Sequence, residues 1–118
     1  VKVYLAGPMR GLPNFNFPAF HKAAKKLRKQ GYEVFNPAER DIERHGKDIS
    51  KRNPAGDLAL AEVKHGFSLR DALGDDMAWI CHHAEAIALL PGWKKSKGAT
   101  AERALGEALG LEIFYVKG

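Results

Sequence analysis

The sequence predicts a three-layer α/β sandwich around a parallel sheet of four to five strands. Three observations carry that expectation. Short apolar runs alternate along the chain with segments of helical periodicity. The first three runs end in turn-forming pairs, Gly7-Pro8, Asn36-Pro37 and Pro91-Gly92. The chain has 118 residues, enough for one core but not two, so residues 1–118 read as a single domain. Strands separated by helices pair in parallel through right-handed crossovers.

The first strand is VKVYLA, residues 1–6, too short for a signal peptide. The turn-rich GLPNFNFP follows, and Asn16 is expected to cap a helix that runs to Gln30 and stops at Gly31. On that helix Phe17, Phe20, Ala24 and Leu27 share one face, opposite Lys22, Lys25, Lys26 and Lys29. Tyr32 to Phe35 is the second strand. Residues 38–66 carry six basic and six acidic side chains with three glycines and Pro54, which reads as a mobile excursion holding one short helix over 57–64. A fifth strand has room there. Ser68 and Asp71 match an S-x-x-D capping signature for a helix from Leu69 to about His82. EAIALL, residues 85–90, is the third strand. A further helix shows Ala101, Leu105, Ala108 and Leu109 on one face and ends at Gly110, before a last strand over 111–116. The alternation makes the fold flavodoxin/Rossmann-like, with ligands expected outside the carboxyl ends of the strands.

Composition narrows the function classes. A single cysteine, Cys81, excludes an internal disulfide and a cysteine-built metal site, and suggests a reducing, cytoplasmic setting. His82 and His83 are adjacent, which aims them to different sides of a helix, so no metal is expected. No long uncharged apolar run is present, so no membrane partner is expected. The net charge of +5 favours an anionic partner. The basic helix has no interleaved aromatics, so it reads as a solvated face rather than a nucleic-acid surface.

Two carboxylates occupy unusual positions. Glu102 falls in the opening of the helix after the small-residue loop SKGAT. Reciprocal capping does not explain it, because Ala99 stands three residues after Ser96 and Arg103 three after Thr100. Interaction with the helix dipole, about 0.3–1 kcal/mol, is the bland alternative. Asp76 lies about 20° outside the apolar arc formed by Leu69, Leu73, Met77 and Ile80, while Asp75 points away. A carboxylate there needs a partner such as Arg70 or a backbone amide, or else it faces a cleft. Two carboxylates flanking the end of the third strand have the composition needed to split a glycosidic bond. Gly98, Ala99 and Thr100 would offer N–H donors to an anion at the helix start, beside Lys94, Lys95 and Lys97.

The segments VYLAGPMRG, EVFNPAE, DDMAWI, ALLPGW, SKGATAE and LGLEIFY together resemble the nucleoside 2-deoxyribosyltransferase superfamily. The resemblance includes its hydrolytic branch, the 2'-deoxynucleoside 5'-phosphate N-hydrolases, and is nearest to a compact phage-type subgroup. It implies that Glu102 is the nucleophile, that Asp76 lies near the sugar and the leaving base, and that the hydroxyl of Tyr4 orients Glu102. It implies also that Arg10 and Ser96 hold a 5'-phosphate, with Gly7 and Gly11 allowing close backbone approach. Trp93 and Phe15 are candidates for stacking on a base, although packing explains each as well. The expected activity is hydrolysis of the base–sugar bond of a nucleoside 5'-monophosphate, without metal or organic cofactor, by a homo-oligomer. The alternatives are base exchange, a nucleotide-binding sensor that has lost catalysis, and nucleic-acid binding through the basic helix.

Overall fold

The computed structural model describes residues 1–45 and 69–117. In chain order these form strand β1 (Lys2–Ala6), a 3-10 turn (Pro13–Asn16), helix α1 (Phe17–Lys29), β2 (Glu33–Phe35) and α2 (Pro37–His45). Then come α3 (Leu69–His83), β3 (Ala86–Leu89), a second 3-10 turn (Trp93–Lys95), α4 (Lys97–Ala108) and β4 (Glu112–Tyr115). The four strands form one parallel sheet in the order β2-β1-β3-β4. Val3 lies beside Val34 on one side and Ala86 on the other, and Ile87 lies beside Ile113. The four-stranded α/β architecture is the one the alternation of elements predicts.

Alternate side chains of the sheet feed two separate apolar layers, as the pleat requires. Val3, Leu5, Val34, Ala86 and Ala88 pack with Phe17, Phe20, Ala24 and Leu27 of α1 and with Ala38 of α2. Tyr4, Ala6, Ile87 and Leu89 pack on the other face with Ile80 of α3 and Ala99 of α4. Lys22, Lys25, Lys26 and Lys29 are exposed on the outer face of α1. No helix among the described residues is long and apolar enough to cross a membrane.

Several local expectations need correction. Residues 37–45 form helix α2 rather than the start of an irregular excursion. Asn36 Oδ1 accepts a 2.9 Å hydrogen bond from the Ala38 amide, with Pro37 and Glu39 in the first turn, so Asn-Pro-Ala-Glu opens a helix as well as closing a strand. The helix expected over 57–64, the cap at Ser68 and any fifth strand beyond residue 45 lie outside the described residues. Asn16 occupies the N-cap position of α1, but its side chain makes no cap bond. Its amide instead donates to the Pro8 carbonyl at 3.0 Å, tying the loop after β1 to the helix start.

Both helices on the second face are rotated from the expected orientation. In α3 the buried line is Ala72, Asp76 and Ile80, while Leu69 is 43% exposed. In α4 it is Ala99, Glu102 and Gly106, with Ala101, Ala108 and Leu109 exposed. The cause in α4 is close approach: a Cβ on Gly106 would lie 2.7 Å from Cγ1 of Ile87, so the helix rests on β3 through its glycine. Gly110, at φ +74°, ends the helix as expected.

Candidate active site

The chain crosses from β2 back over β1 to β3, so β1 and β3 carry connections that leave in opposite directions. Their carboxyl ends form the crevice where this class of sheet accepts ligands. A cavity of about 810 Å³ opens there, within the range of small-molecule sites. The loop after β1, the turn after β3, the first turns of α4 and the inner faces of α2 and α3 line it.

Glu102 lies in the second turn of α4, not the first, which contains no acidic residue. The dipole effect falls away within the first turn, so it does not account for a carboxylate here. The side chain points inward and is only 5% exposed. Its Oε2 accepts a short hydrogen bond from the hydroxyl of Tyr4, a fully buried residue of β1. Asp76, 8% exposed on α3, acts on both groups. Glu102 and Asp76, 26 positions apart in sequence, thus meet around one phenol.

Burial dominates the electrostatics. Loss of solvation pushes the Glu102 carboxyl up to about 8, the Tyr4 hydrogen bond opposes that rise, and the charge of Asp76 adds to it. Burial also holds the Tyr4 hydroxyl well above its ordinary range, reinforced by the charges of Glu102 and Asp76 and by the hydrogen bond to Glu102. Two buried carboxyls around one hydroxyl donor, one of them pushed up to about 8, make an arrangement that retains a proton at neutral pH.

The mouth of the cavity is polar. Ser96 caps α4, its Oγ accepting from the Ala99 amide at 3.1 Å and its carbonyl from the Thr100 amide at 3.0 Å, so these two expected anion donors are already engaged by the cap. Ser96, Gly98 and Ala99 line the wall together with Lys95, Lys97 and Arg10. The helix start, its dipole and three cations make this end suited to an anion. A family model described as "Domain of unknown function (DUF4406)" matches residues 1–115. The chain belongs to the DUF4406 family. Comparisons with curated proteins and with solved structures gave no match.

In this DUF4406 chain the cavity wall contains Tyr4, Gly7, Arg10, Asp76, Ser96, Gly98, Ala99 and Glu102, all singled out from the sequence, while Thr100 does not line it. Gly11 does not line it; at φ +81° it serves the turn. Gly7 is required for packing as well, since a Cβ there would lie 2.7 Å from Cβ of Leu90. Neither aromatic candidate lines the cavity. Phe15 is in the core beside Phe17, and Trp93 packs under the Arg103 guanidinium, 5.1 Å from its ring centre, and near Tyr115. Lys94 also turns to Trp93. Asp75, expected in solvent, is half-buried and bridges to Arg40 of α2 at 2.8 Å.

A buried carboxyl of the lining escaped the sequence reading. Asp41, on α2, is 5% exposed and lines the cavity with Pro37, one helical turn before it. Its signal was present: Ala38 and Ile42 form the core-facing pair of an i, i+4 helix, and Pro37 and Asp41 the adjacent pair. Reading Asn-Pro as an ending hid that helix.

Proposed function

We propose that this protein is an N-glycosidase of the nucleoside 2-deoxyribosyltransferase type, hydrolysing the base–sugar bond of a nucleoside 5'-monophosphate. The observation that carries the reading is the convergence of Tyr4, Asp76 and Glu102 in one cavity with an anion-suited mouth. Glu102, in its ionised form, attacks C1' while the C1'–N bond breaks and its electron pair leaves on the base. Asp76 hands the departing base a proton. Water then attacks C1', the bond to Glu102 breaks with its electron pair returning to the carboxylate, and the water proton restores Asp76.

Tyr4 has a positioning role, since its hydroxyl holds one Glu102 oxygen and leaves the other to react. Arg10, Lys95, Lys97 and the amides of Lys97 and Gly98 at the start of α4 would take the 5'-phosphate, which distinguishes a nucleotide from a free nucleoside. The chemistry calls for no metal or organic cofactor, because fixed carboxylates stabilise the cationic sugar. A homo-oligomer belongs to the same reading.

The test is release of free base from a panel of ribo- and deoxyribonucleoside 5'-monophosphates, followed chromatographically. Wild type should release base and sugar phosphate, and Glu102→Gln should be slower by at least about 10³-fold. Equal rates for the two proteins would remove Glu102 from the mechanism. Formation of a new nucleotide when a foreign base is added would replace hydrolysis with base exchange. Binding without turnover by wild type would leave a sensor.

A further inference from the structure

The lining of the cavity extends beyond the catalytic centre. From the α4 start at the end of β3 it crosses the end of β1 and reaches α2, which follows β2. Two strand spacings separate β3 from β2, about 10 Å. A nucleoside monophosphate with its phosphate at Ser96 and its C1' at Glu102 has room to turn its base toward α2 within this one cavity. The lining includes Met9, Leu12, Leu69 and Leu73, apolar side chains suited to the faces of a planar ring. At its far side stands the buried carboxyl of Asp41. The Arg40–Asp75 bridge fixes α2 against α3, so Asp41 is carried on the same frame as Asp76.

Building on the glycosidase reading, we infer that Asp41 reads the base as a carboxylate, and that the substrates are nucleoside 5'-monophosphates whose base bears an exocyclic amino group. An ionised carboxylate only accepts hydrogen bonds. It pairs with the amino group of cytosine or adenine and the amino and ring N–H groups of guanine. Uracil and thymine present a ring N–H between two carbonyl oxygens, and those oxygens meet the carboxylate with like charge. In a buried site such a mismatch costs more than in water, because neither oxygen recovers a water partner.

The experiment compares isosteric pairs that differ only in amino against carbonyl: cytidine with uridine monophosphate, and adenosine with inosine monophosphate. Wild type should favour the amino member in kcat/KM by at least about 100-fold. Asp41→Asn, whose amide both donates and accepts, should bring that ratio to within about tenfold of unity while still releasing base. Base release with no amino preference in wild type, or with a preference that Asp41→Asn leaves intact, overturns the inference and leaves the glycosidase reading standing. No base release from any nucleotide overturns both. Should Asp41→Asn fail to fold, shown by loss of its melting transition, the wild-type ratios decide alone.

Discussion

Replacing Glu102 with glutamine removes a carboxyl whose pKa rises from 4.5 to about 8 on folding. Between those values the folded protein holds a proton that the unfolded chain has released. The native state is therefore favoured by this group below pH 4.5, and the contribution is lost as pH rises, levelling off above about 8. At 1.36 kcal/mol per unit, wild type should lose about 1 kcal/mol by pH 5, about 3 by pH 7 and about 5 by pH 9, relative to the fully protonated site. Glutamine keeps the shape and the acceptor for Tyr4 without the titration. Glu102→Gln should then match wild type near pH 4 and exceed it by about 3 kcal/mol at pH 7, an increase in Tm of roughly 10 °C. Urea denaturation and thermal melts of both proteins from pH 4 to 9 measure this. A difference that does not change with pH, or a variant less stable than wild type at pH 8, would refute the claim that burial of a carboxyl dominates the site.

Other perturbations probe separate parts of the account. Tyr4→Phe removes the donor that opposes the rise of Glu102, and a hydrogen bond to a charged group is worth about 1.5–3 kcal/mol. The alkaline limb of the pH–rate profile, where the carboxyl pair loses its one proton, lies near 8 in wild type and should move upward by about one to two units; an unmoved limb contradicts the Tyr4–Glu102 contact. Gly106→Ala forces a Cβ to within 2.7 Å of Ile87 Cγ1, and overpacking of about 1–3 kcal/mol should exceed the roughly 1 kcal/mol gained in helix propensity. Urea denaturation should show a net loss, and a more stable variant would place α4 farther from β3. Asn36→Ala should cost about 1 kcal/mol through loss of the α2 cap, with faster amide exchange over 38–42, while Asn36→Asp should preserve both.

The sheet was legible because its signals are local and redundant. The apolar runs, the Gly and Pro pairs that end them and the alternation with helices all point to the same connectivity. Glu102 and Asp76 were legible as anomalies, carboxylates that capping and surface solvation did not explain. Their meeting point was not, since which way a helix rolls depends on contacts between elements. The rotation of α4 is set by Gly106 against Ile87, and that of α3 by the burial of Ala72 and Asp76. Leu69 and Leu109 are exposed for the same reason, while Ile80 is buried and Met77 and Leu105 pack on the core, so hydrophobicity alone pointed to a stripe offset from the buried one in both helices. Asp41 was missed through local ambiguity, because Asn-Pro-Ala-Glu satisfies the grammar of a strand end and of a helix start equally.

The most direct test of the central claim is chemical. Wild type mixed with a hydrolysed nucleotide, quenched in acid within milliseconds and mapped by mass spectrometry should show a sugar phosphate esterified to the peptide containing Glu102, and Glu102→Gln should show none. Base release that proceeds with no adduct, or with the sugar on another residue, would contradict the account.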